Sequence, residues 1–348
     1  MEKNSKIKQI LMSGASLSLS RYMHLCLYEK NFGYYHNKKV GTDFLTSPEV
    51  SQFFGECISV FILSSLKNLG KIVNFCELGP GNGTLTEDLI KNLTYFYRED
   101  LNFFLVEKTN HIDFKSILKK YKKITISKID KLHLPKKPFF FLCNEFFDAL
   151  PVNQYEKNNE FWLERRIKLV NEKLQIILKK NPYLKIKNDY PTGSVLEISH
   201  ITNLYLKKIF KHLKDYGGAF LIFDYGPFHK KKVDTIQSIY NKKKSSFLEN
   251  PYKSDITFHV DFLNIEKLAS KYNLYFHGPI TQKKFLYYNG INERIISLTK
   301  KVKEKKKLDL LYSQFKKLTD PDGLGGLIKC VLVTKKNLKY SFFDGRVT

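Results

Sequence analysis

The stretch that decides the fold is residues 72–85, which read IVNFCELGPGNGTL. The apolar run Ile72–Cys76 predicts a strand, and the apolar spacing of Thr84–Leu93 predicts a helix. Glycines at positions 79, 81 and 83 lie between them. Glycine permits a tight turn and a close approach of the backbone to a ligand, and the first turn of a helix presents N–H groups that lack helical partners. The stretch therefore predicts a strand–turn–helix unit that suits a bound ligand.

The same alternation continues along the chain. It predicts six further strands and three further helices, the strands at 103–106, 124–126, 139–143, 219–223, 274–276 and 327–334, and the helices at 111–121, 198–213 and 262–272. Strands that alternate with helices are joined by right-handed crossovers. We therefore expect an α/β fold with a doubly wound, mostly parallel, Rossmann-like sheet of seven strands, the last strand being hairpin-like.

Three regions fall outside this alternation. Residues 1–70 are predicted to form an N-terminal helical cap, with helices over Leu17–Tyr28 and Val50–Leu69. The loop before the second helix contains Thr46-Ser47-Pro48-Glu49, where Ser47 has the pattern of a helix cap followed by a first-turn proline. Residues 71–340 form the α/β domain, and the stretches 151–195 and 228–258 are interpreted as insertions over the carboxyl edge of its sheet.

Composition narrows the classes of function. The chain has 348 residues and a formal net charge of +25, but only six of its 59 basic residues are arginine, the side chain that phosphate clamping and base reading favour. A nucleic-acid partner is therefore not expected. The five cysteines are scattered and the nine histidines form no ligand motif, which predicts a reducing compartment and no metal.

Apolar runs are far shorter than the roughly 20 residues that span a membrane, so no membrane span is expected. The amino-terminal residues show neither a secretory nor a transit pattern. This favours the cytoplasm of a bacterium, with the mitochondrial matrix as the alternative in a eukaryote.

Two acids accompany the glycine turn. Glu77 precedes the glycines, where its carboxylate would repel a pyrophosphate but suits the α-amino group and sulfonium of S-adenosylmethionine. The spacing Gly-x-Gly-x-Gly also differs from that of dinucleotide-binding turns. Glu107 follows the second strand, where an acid commonly accepts hydrogen bonds from ribose hydroxyls. A ribose-bearing cofactor is favoured, while a turn without a ligand and a solvated Glu107 stay open as alternatives.

A second polar cluster follows the fourth strand, in the run Asn144-Glu145-Phe146-Phe147-Asp148-Ala149-Leu150-Pro151. Glu145 and Asp148 are three residues apart, a spacing that lets both side chains face one pocket if the run makes a helical turn. The alternative is structural: Asn144 caps a helix, and Asp148 pairs with a nearby lysine.

At this level the chain resembles the MidA family of class I S-adenosylmethionine-dependent methyltransferases, which includes a mitochondrial protein-arginine methyltransferase that assists assembly of respiratory complex I. The matching motifs occur in family order: Arg21-Tyr22-Met23 through Gly33-Tyr34-Tyr35, Asp43-Phe44-Leu45-Thr46-Ser47-Pro48-Glu49, Glu77-Leu78-Gly79-Pro80-Gly81, Val106-Glu107, Asn144 through Pro151, Asp224-Tyr225-Gly226, His259-Val260-Asp261-Phe262, Thr281-Gln282 and Gly325-Gly326-Leu327-Ile328-Lys329. One departure is Asn82, which replaces a basic residue common in the family's glycine turn.

The resemblance implies transfer of a methyl group to the guanidinium of a protein arginine, forming symmetric dimethylarginine in a complex I subunit. It implies that the target arginine is bound by Glu145, Asp148 and Asn144. It implies that S-adenosylmethionine is bound by Thr46, Ser47, Pro48, Glu77, Gly79, Gly81, Gly83 and Glu107. The alternatives are a nucleic-acid methyltransferase and a non-catalytic assembly factor that uses the same fold to bind a partner. Whether the protein forms a homodimer stays open.

Overall fold

A computed structural model describes residues 6–38, 43–107, 118–121, 123–129, 131–181, 184, 186, 190–229 and 231–343. The chain divides into two compact units. The first consists of Met1–Phe44, Phe147–Tyr205 and Lys230–His259, and the second of Leu45–Phe146, Leu206–His229 and Val260–Thr348.

Strands make up much of both units. In the described residues they are β1 (Leu17–Ser18), β2 (Asn74–Leu78), β3 (Leu101–Val106), β4 (Ile124–Ile129), β5 (Phe139–Asn144), β6 (Asn153–Asn158), β7 (Phe161–Val170), β8 (Lys173–Lys180), β9 (Val195–Ile198), β10 (Gly218–Tyr225), β11 (Gln237–Tyr240), β12 (Lys243–Lys244), β13 (Asp255–Thr257), β14 (Tyr275–Thr281) and β15 (Ile328–Thr334).

Helices separate most of these strands. Within the described ranges they are α1 (Lys6–Met12), α2 (Leu19–Tyr28), α3 (Tyr34–Asn37), α4 (Ser47–Val50), α5 (Phe53–Leu69), α6 (Thr84–Phe96), α7 (His200–Tyr216), α8 (Phe262–Lys271), α9 (Gln282–Tyr288), α10 (Ile291–Thr299), α11 (Lys305–Thr319) and α12 (Leu324–Leu327).

The second unit is built on a seven-stranded sheet with the order β14-β15-β10-β5-β2-β3-β4. Strands β10, β5, β2, β3 and β4 pair in parallel, whereas β15 is antiparallel to both of its neighbours, β10 and β14. The predicted α/β fold with a mostly parallel sheet of seven strands is confirmed. Four helices separate β14 from β15, so the antiparallel pair is not closed by a tight hairpin.

The core of this unit is apolar on both faces of the sheet. Every residue of β2 is buried, and Phe139–Cys143 of β5 are at most 2% exposed. Helix α6 contributes Leu85, Leu89 and Leu93 to the same core, at the four-residue spacing of one helix face. Parallel strands are buried on both faces because their crossover helices cover them, which explains the continuous apolar runs.

The structure differs from the sequence prediction in the helices around residues 46–51. The predicted helix Val50–Leu69 is two helices, α4 and α5, because Ser51 has an extended backbone with φ of −170°. The prediction that Ser47 caps a helix is wrong: the N-cap is Thr46, whose side chain makes no cap hydrogen bond. Ser47 instead uses its hydroxyl and its backbone N–H to bind other elements, as described below.

Two further predictions concern single helices. Helix α5, which the sequence analysis assigns to a cap of residues 1–70, lies in the second unit. The helix predicted over 111–121 lies largely outside the described residues.

The first unit contains two antiparallel sheets. One has the order β1-β7-β6-β9, with β8 also paired to β7, and the other has the order β12-β11-β13. The stretches interpreted as insertions, 151–195 and 228–258, lie almost entirely in this unit, together with the amino-terminal residues. Tyr22, Met23 and Leu27 of α2 belong to its core.

A close contact fixes the turn after β2 in the second unit. Gly79 has φ of +66°, a conformation that glycine adopts readily and other residues rarely do. A Cβ added at Gly79 would lie 2.6 Å from Cδ2 of Phe146, the residue two positions after β5. The turn therefore requires glycine both for its backbone conformation and for the space that Phe146 occupies.

We expect Gly79→Ala to destabilise the second unit by about 3 kcal/mol, combining the cost of a left-handed alanine with that of overpacking. Gly290→Ala is the matched control, because Gly290 of the same unit is left-handed, with φ of +89° and ψ of +19°, and an added Cβ would meet nothing closer than Oε2 of Glu293 at 3.8 Å. Its cost should be about 1 kcal/mol. Urea unfolding of both variants measures the difference, and equal losses would contradict the role of Phe146.

Candidate functional site

The glycine turn joins β2 to α6 in the second unit. Gly79, Gly81 and Gly83 all have positive φ, at 66°, 57° and 83°. The N–H of Gly79 donates to the carbonyl of Val106 at 3.0 Å, and the N–H of Gly83 donates to that of Pro80 at 2.8 Å. These bonds place the turn at the carboxyl ends of β2 and β3, where α6 begins.

Glu77 is a buried acid beneath this turn. Its side chain is 6% exposed, and Oε2 accepts a hydrogen bond from the hydroxyl of Thr86, on the first turn of α6. Burial raises the pKa of the Glu77 carboxyl to about 7, with a smaller contribution from the charge of Glu107. The carboxylate has therefore lost most of its hydration and would be stabilised by a cationic ligand.

Glu145 has an uncommon backbone conformation at the end of β5. Its φ is +50°, and its N–H donates to the carbonyl of Phe223 on β10 at 2.9 Å. Its Oε1 accepts from the side-chain amide of Asn144 at 3.0 Å and from the backbone N–H of Ser47 at 3.3 Å. A non-glycine residue held in this region costs free energy, and such residues are concentrated at functional sites.

Asn144 presents an acceptor beside this carboxylate. Within the described residues its Oδ1 is buried and has no hydrogen-bond partner. A buried carbonyl oxygen without a donor is costly, so such an atom points to a donor supplied by a ligand. Oδ1 of Asn144 and the carboxylate of Glu145 together form a set of acceptors suited to N–H groups.

The loop of residues 46–49 is anchored to both features. Oε1 of Glu49 accepts from the side-chain amide of Asn82 at 3.1 Å and from the hydroxyl of Thr84 at 2.7 Å. Ser47 provides the second anchor through its N–H bond to Glu145. The loop thus connects the glycine turn to the end of β5 by side-chain and backbone hydrogen bonds.

The structure brings most of the predicted site residues together within the second unit. Those at the carboxyl ends of β2, β3 and β5 or in the anchored loop are Thr46, Ser47, Pro48, Glu77, Gly79, Gly81, Gly83, Glu107, Asn144 and Glu145. Thr46, Ser47 and Pro48 are buried.

Asp148 belongs to the first unit. It is 4% exposed, its carbonyl accepts from the N–H of Phe258 at 3.0 Å, and its charge contributes to raising the pKa of Tyr35. Its pairing with Glu145 stays a prediction.

Three functional contacts were not found from the sequence. From the sequence, Glu49 and Gln282 are named only within motifs and Thr86 is given no role, whereas the structure shows side-chain hydrogen bonds of all three. Glu49 could have been suspected from its place beside Thr46 and Ser47. Thr86 and Gln282 carry no local signal, because only tertiary packing shows which polar groups they meet.

In the part of the chain that the structure describes, no group of three or more histidine, cysteine, aspartate or glutamate side chains could hold a metal ion. None of the helices described is both long enough and apolar enough to cross a membrane. The five cysteines are buried and unbridged.

The residues present fit S-adenosylmethionine. The cofactor carries a cationic amino group, a sulfonium and a ribose diol, and the turn offers the buried Glu77 and, after the adjacent strand β3, Glu107. Three glycines remove the side chains that would otherwise cover the backbone of the turn. This set of carboxylate acceptors therefore suits a cationic nucleoside better than a phosphate.

Comparison with known proteins agrees with this geometry. The model of a family described as S-adenosyl-L-methionine-dependent methyltransferase matches residues 57–280. Protein arginine methyltransferase NDUFAF7, mitochondrial, of Xenopus laevis is 30% identical, over 92% of this chain and 81% of the relative. The Homo sapiens protein of the same name is 29% identical, over 90% and 79%.

A solved structure shows the same fold. A COG1565 superfamily member from Burkholderia thailandensis, crystallised with S-adenosyl-homocysteine, superimposes with a TM-score of 0.77 at 20% identity, covering 97% of this chain and 91% of the other. The resemblance found in the sequence is thus confirmed. The chain belongs to the family of S-adenosyl-L-methionine-dependent methyltransferases, and S-adenosyl-L-methionine is its cofactor.

Proposed function

We propose that the protein methylates the guanidinium group of an arginine in a protein substrate. The observation that carries this proposal is the acceptor set at the end of β5, where the Glu145 carboxylate is held by Ser47 and Asn144 beside the unpartnered Oδ1 of Asn144. A guanidinium carries five N–H donors and no acceptor, so it matches this set.

The chemistry places a particular demand on these acceptors. A guanidinium keeps its proton below a pH of about 12 and is a poor nucleophile. Carboxylate acceptors orient it and stabilise its charge, so that one nitrogen is directed at the reacting carbon. Glu145 performs this role in our proposal, with Asn144 accepting a further N–H.

The cofactor residues complete the arrangement. Glu77 receives the cationic methionine end of S-adenosylmethionine, Glu107 the ribose hydroxyls, and the glycine turn leaves room for the nucleoside. The cofactor supplies an electrophilic methyl group bound to a positively charged sulfur. The loop of Thr46, Ser47 and Pro48 closes over the methionine end, held in place by the Glu49 bonds to Asn82 and Thr84.

The relatives support the choice of substrate. Those quoted above are named protein arginine methyltransferases, and this chain covers about four fifths of their length. We propose, from the family resemblance, that the product is symmetric dimethylarginine in a complex I subunit, formed in support of complex I assembly. The relatives are also named mitochondrial, which supports the mitochondrial matrix for a eukaryotic host. The bacterial cytoplasm stays the alternative.

We expect Glu145→Gln to lower methyl transfer at least 100-fold, because the amide loses the charge that orients the guanidinium. The affinity for S-adenosylmethionine should change less than threefold. Both are measured with the full chain, by transfer of radiolabel from the cofactor to protein in a lysate of cells that lack this protein, and by calorimetry.

Glu304→Gln is the matched control, since Glu304 is an exposed acid of the same unit. It should transfer label at the native rate. Acid hydrolysis then identifies the labelled residue. Label in dimethylarginine supports the proposal. Label in nucleic acid indicates a nucleic-acid methyltransferase, and cofactor binding without any label indicates a non-catalytic assembly factor. Normal transfer by Glu145→Gln would exclude the role given to Glu145.

Cofactor affinity should depend on pH through Glu77. A pKa of about 7 leaves about a tenth of the carboxyls ionised at pH 6 and about nine tenths at pH 8. Because the cation binds the ionised form, affinity for S-adenosylmethionine should rise about tenfold over this range. Calorimetry of the native protein and Glu77→Gln at each pH isolates this effect, since other titrating groups are common to both. A constant ratio of their affinities would contradict it.

The same carboxyl should limit stability. Its pKa in the folded state is raised above that of the unfolded chain, so its ionisation destabilises the fold as pH rises from about 4.5 to about 7. Glu77→Gln should therefore unfold at a higher temperature than the native protein at pH 8, with a smaller difference at pH 5.5. Thermal melts without cofactor measure the difference in unfolding temperature between the variant and the native protein at each pH. A stabilisation that is smaller at pH 8 than at pH 5.5 would contradict the prediction.

A further inference from the structure

A chain of buried hydrogen bonds leads from α11 to Glu145. The side-chain amide of Gln282 donates to the carbonyl of Leu318 at 3.0 Å, and its Oε1 accepts from the hydroxyl of Ser47 at 2.8 Å. The backbone N–H of Ser47 then donates to Oε1 of Glu145 at 3.3 Å. Gln282 and Ser47 are both 0% exposed.

Local structure does not account for the Gln282 side chain. Gln282 begins α9, but the cap of that helix is Thr281, whose hydroxyl accepts from the N–H of Lys284. A buried amide is costly unless its donor and acceptor are both used, and here both are used by residues of other elements. The side chain therefore links α11 to the loop that contains Ser47.

The chain of hydrogen bonds ends at Glu145, whose backbone conformation has to be held by its surroundings. The backbone of Glu145 lies in the left-handed region, which is unfavourable for a residue other than glycine. Ser47 is the first residue of α4, and the cap residue Thr46 makes no side-chain bond to that helix. At this first position, the N–H of Ser47 has no partner within the helix and is available to Glu145. The hydrogen bond of the Ser47 hydroxyl helps to hold this residue in place.

We propose that Gln282 is a positioning residue for methyl transfer. It holds the Ser47 hydroxyl, which sets the Ser47 N–H against the Glu145 carboxylate and thereby orients the group that receives the target guanidinium. This inference rests on the function proposed for Glu145. It assigns to a residue on α9 a specific effect on the transfer step and little effect on the cofactor.

The test compares Gln282→Leu and Ser47→Ala with the native protein in the radiolabel assay at saturating cofactor. Each should lower kcat at least tenfold, because small displacements of an orienting group reduce rates strongly. For Gln282→Leu, the dissociation constant for S-adenosylmethionine should stay within about threefold. The double variant should be little slower than either single variant, because both remove the same link.

Gln282→Glu separates positioning from general packing. A buried carboxyl is favoured in its protonated form, which can donate to Leu318 and accept from Ser47 as the amide does. Its kcat relative to the native protein should therefore be near one at pH 6 and fall at pH 9, where the carboxyl ionises. Gln282→Leu should show no such dependence.

Asn289→Leu is the control for loss of a buried amide. Asn289 follows α9 and is 5% exposed, and among the described residues its side-chain amide donates to a local group, the carbonyl of Phe285, at 2.8 Å. It should reduce stability but leave kcat per folded molecule at the native value. If Gln282→Leu also keeps the native kcat while Glu145→Gln is inactive, the positioning role is wrong and the proposed function stands. If Glu145→Gln is fully active, the proposed function itself fails.

Discussion

Parallel pairing of β5, β2 and β3 is the constraint on which the rest of the second unit depends. Because these strands run in the same direction, their carboxyl ends meet at one edge of the sheet. The residues at these ends are therefore neighbours in space although far apart in the chain. Glu77 and Asn144 are among the last residues of β2 and β5, and the glycine turn, Glu107 and Glu145 follow the strands directly. Apolar burial of the strands on both faces holds this edge in place, so acids unsuited to a core can be kept there.

The edge is arranged for ligands at a cost in stability. Glu77 is buried without a cation, and its pKa is raised accordingly. Glu145 has a strained backbone, and Asn144 has a buried acceptor without a donor in the described structure. The costs at Glu77 and Asn144 are relieved by a partner of positive charge or by a group rich in N–H donors. A methyl donor with a cationic sulfonium and a target with a cationic guanidinium are such partners, which connects the energetics of the fold to the reaction we propose.

Predictions from sequence succeeded where the signal is local. The alternation of apolar strands and amphipathic helices predicted the sheet, and the glycines with Glu77 predicted the turn at the end of β2. Predictions were wrong or incomplete where a polar side chain had several competing partners. Ser47 has the composition of a helix cap, but its hydroxyl binds Gln282, a residue 235 positions away. The pairing of Asp148 with Glu145 stays a prediction, because Asp148 belongs to the first unit and Glu145 to the second.

The sequence by itself determined the α/β class, the seven strands, the glycine turn and the acids that accompany it. These follow from periodicity and from the conformational freedom of glycine, which are properties of short segments. Only the tertiary structure decided how the polar groups are paired: Glu49 with Asn82 and Thr84, Ser47 with Glu145, and Gln282 with Ser47 and Leu318. The physical reason is that a buried donor or acceptor takes whichever partner packing brings within about 3 Å, and sequence distance has no bearing on that choice.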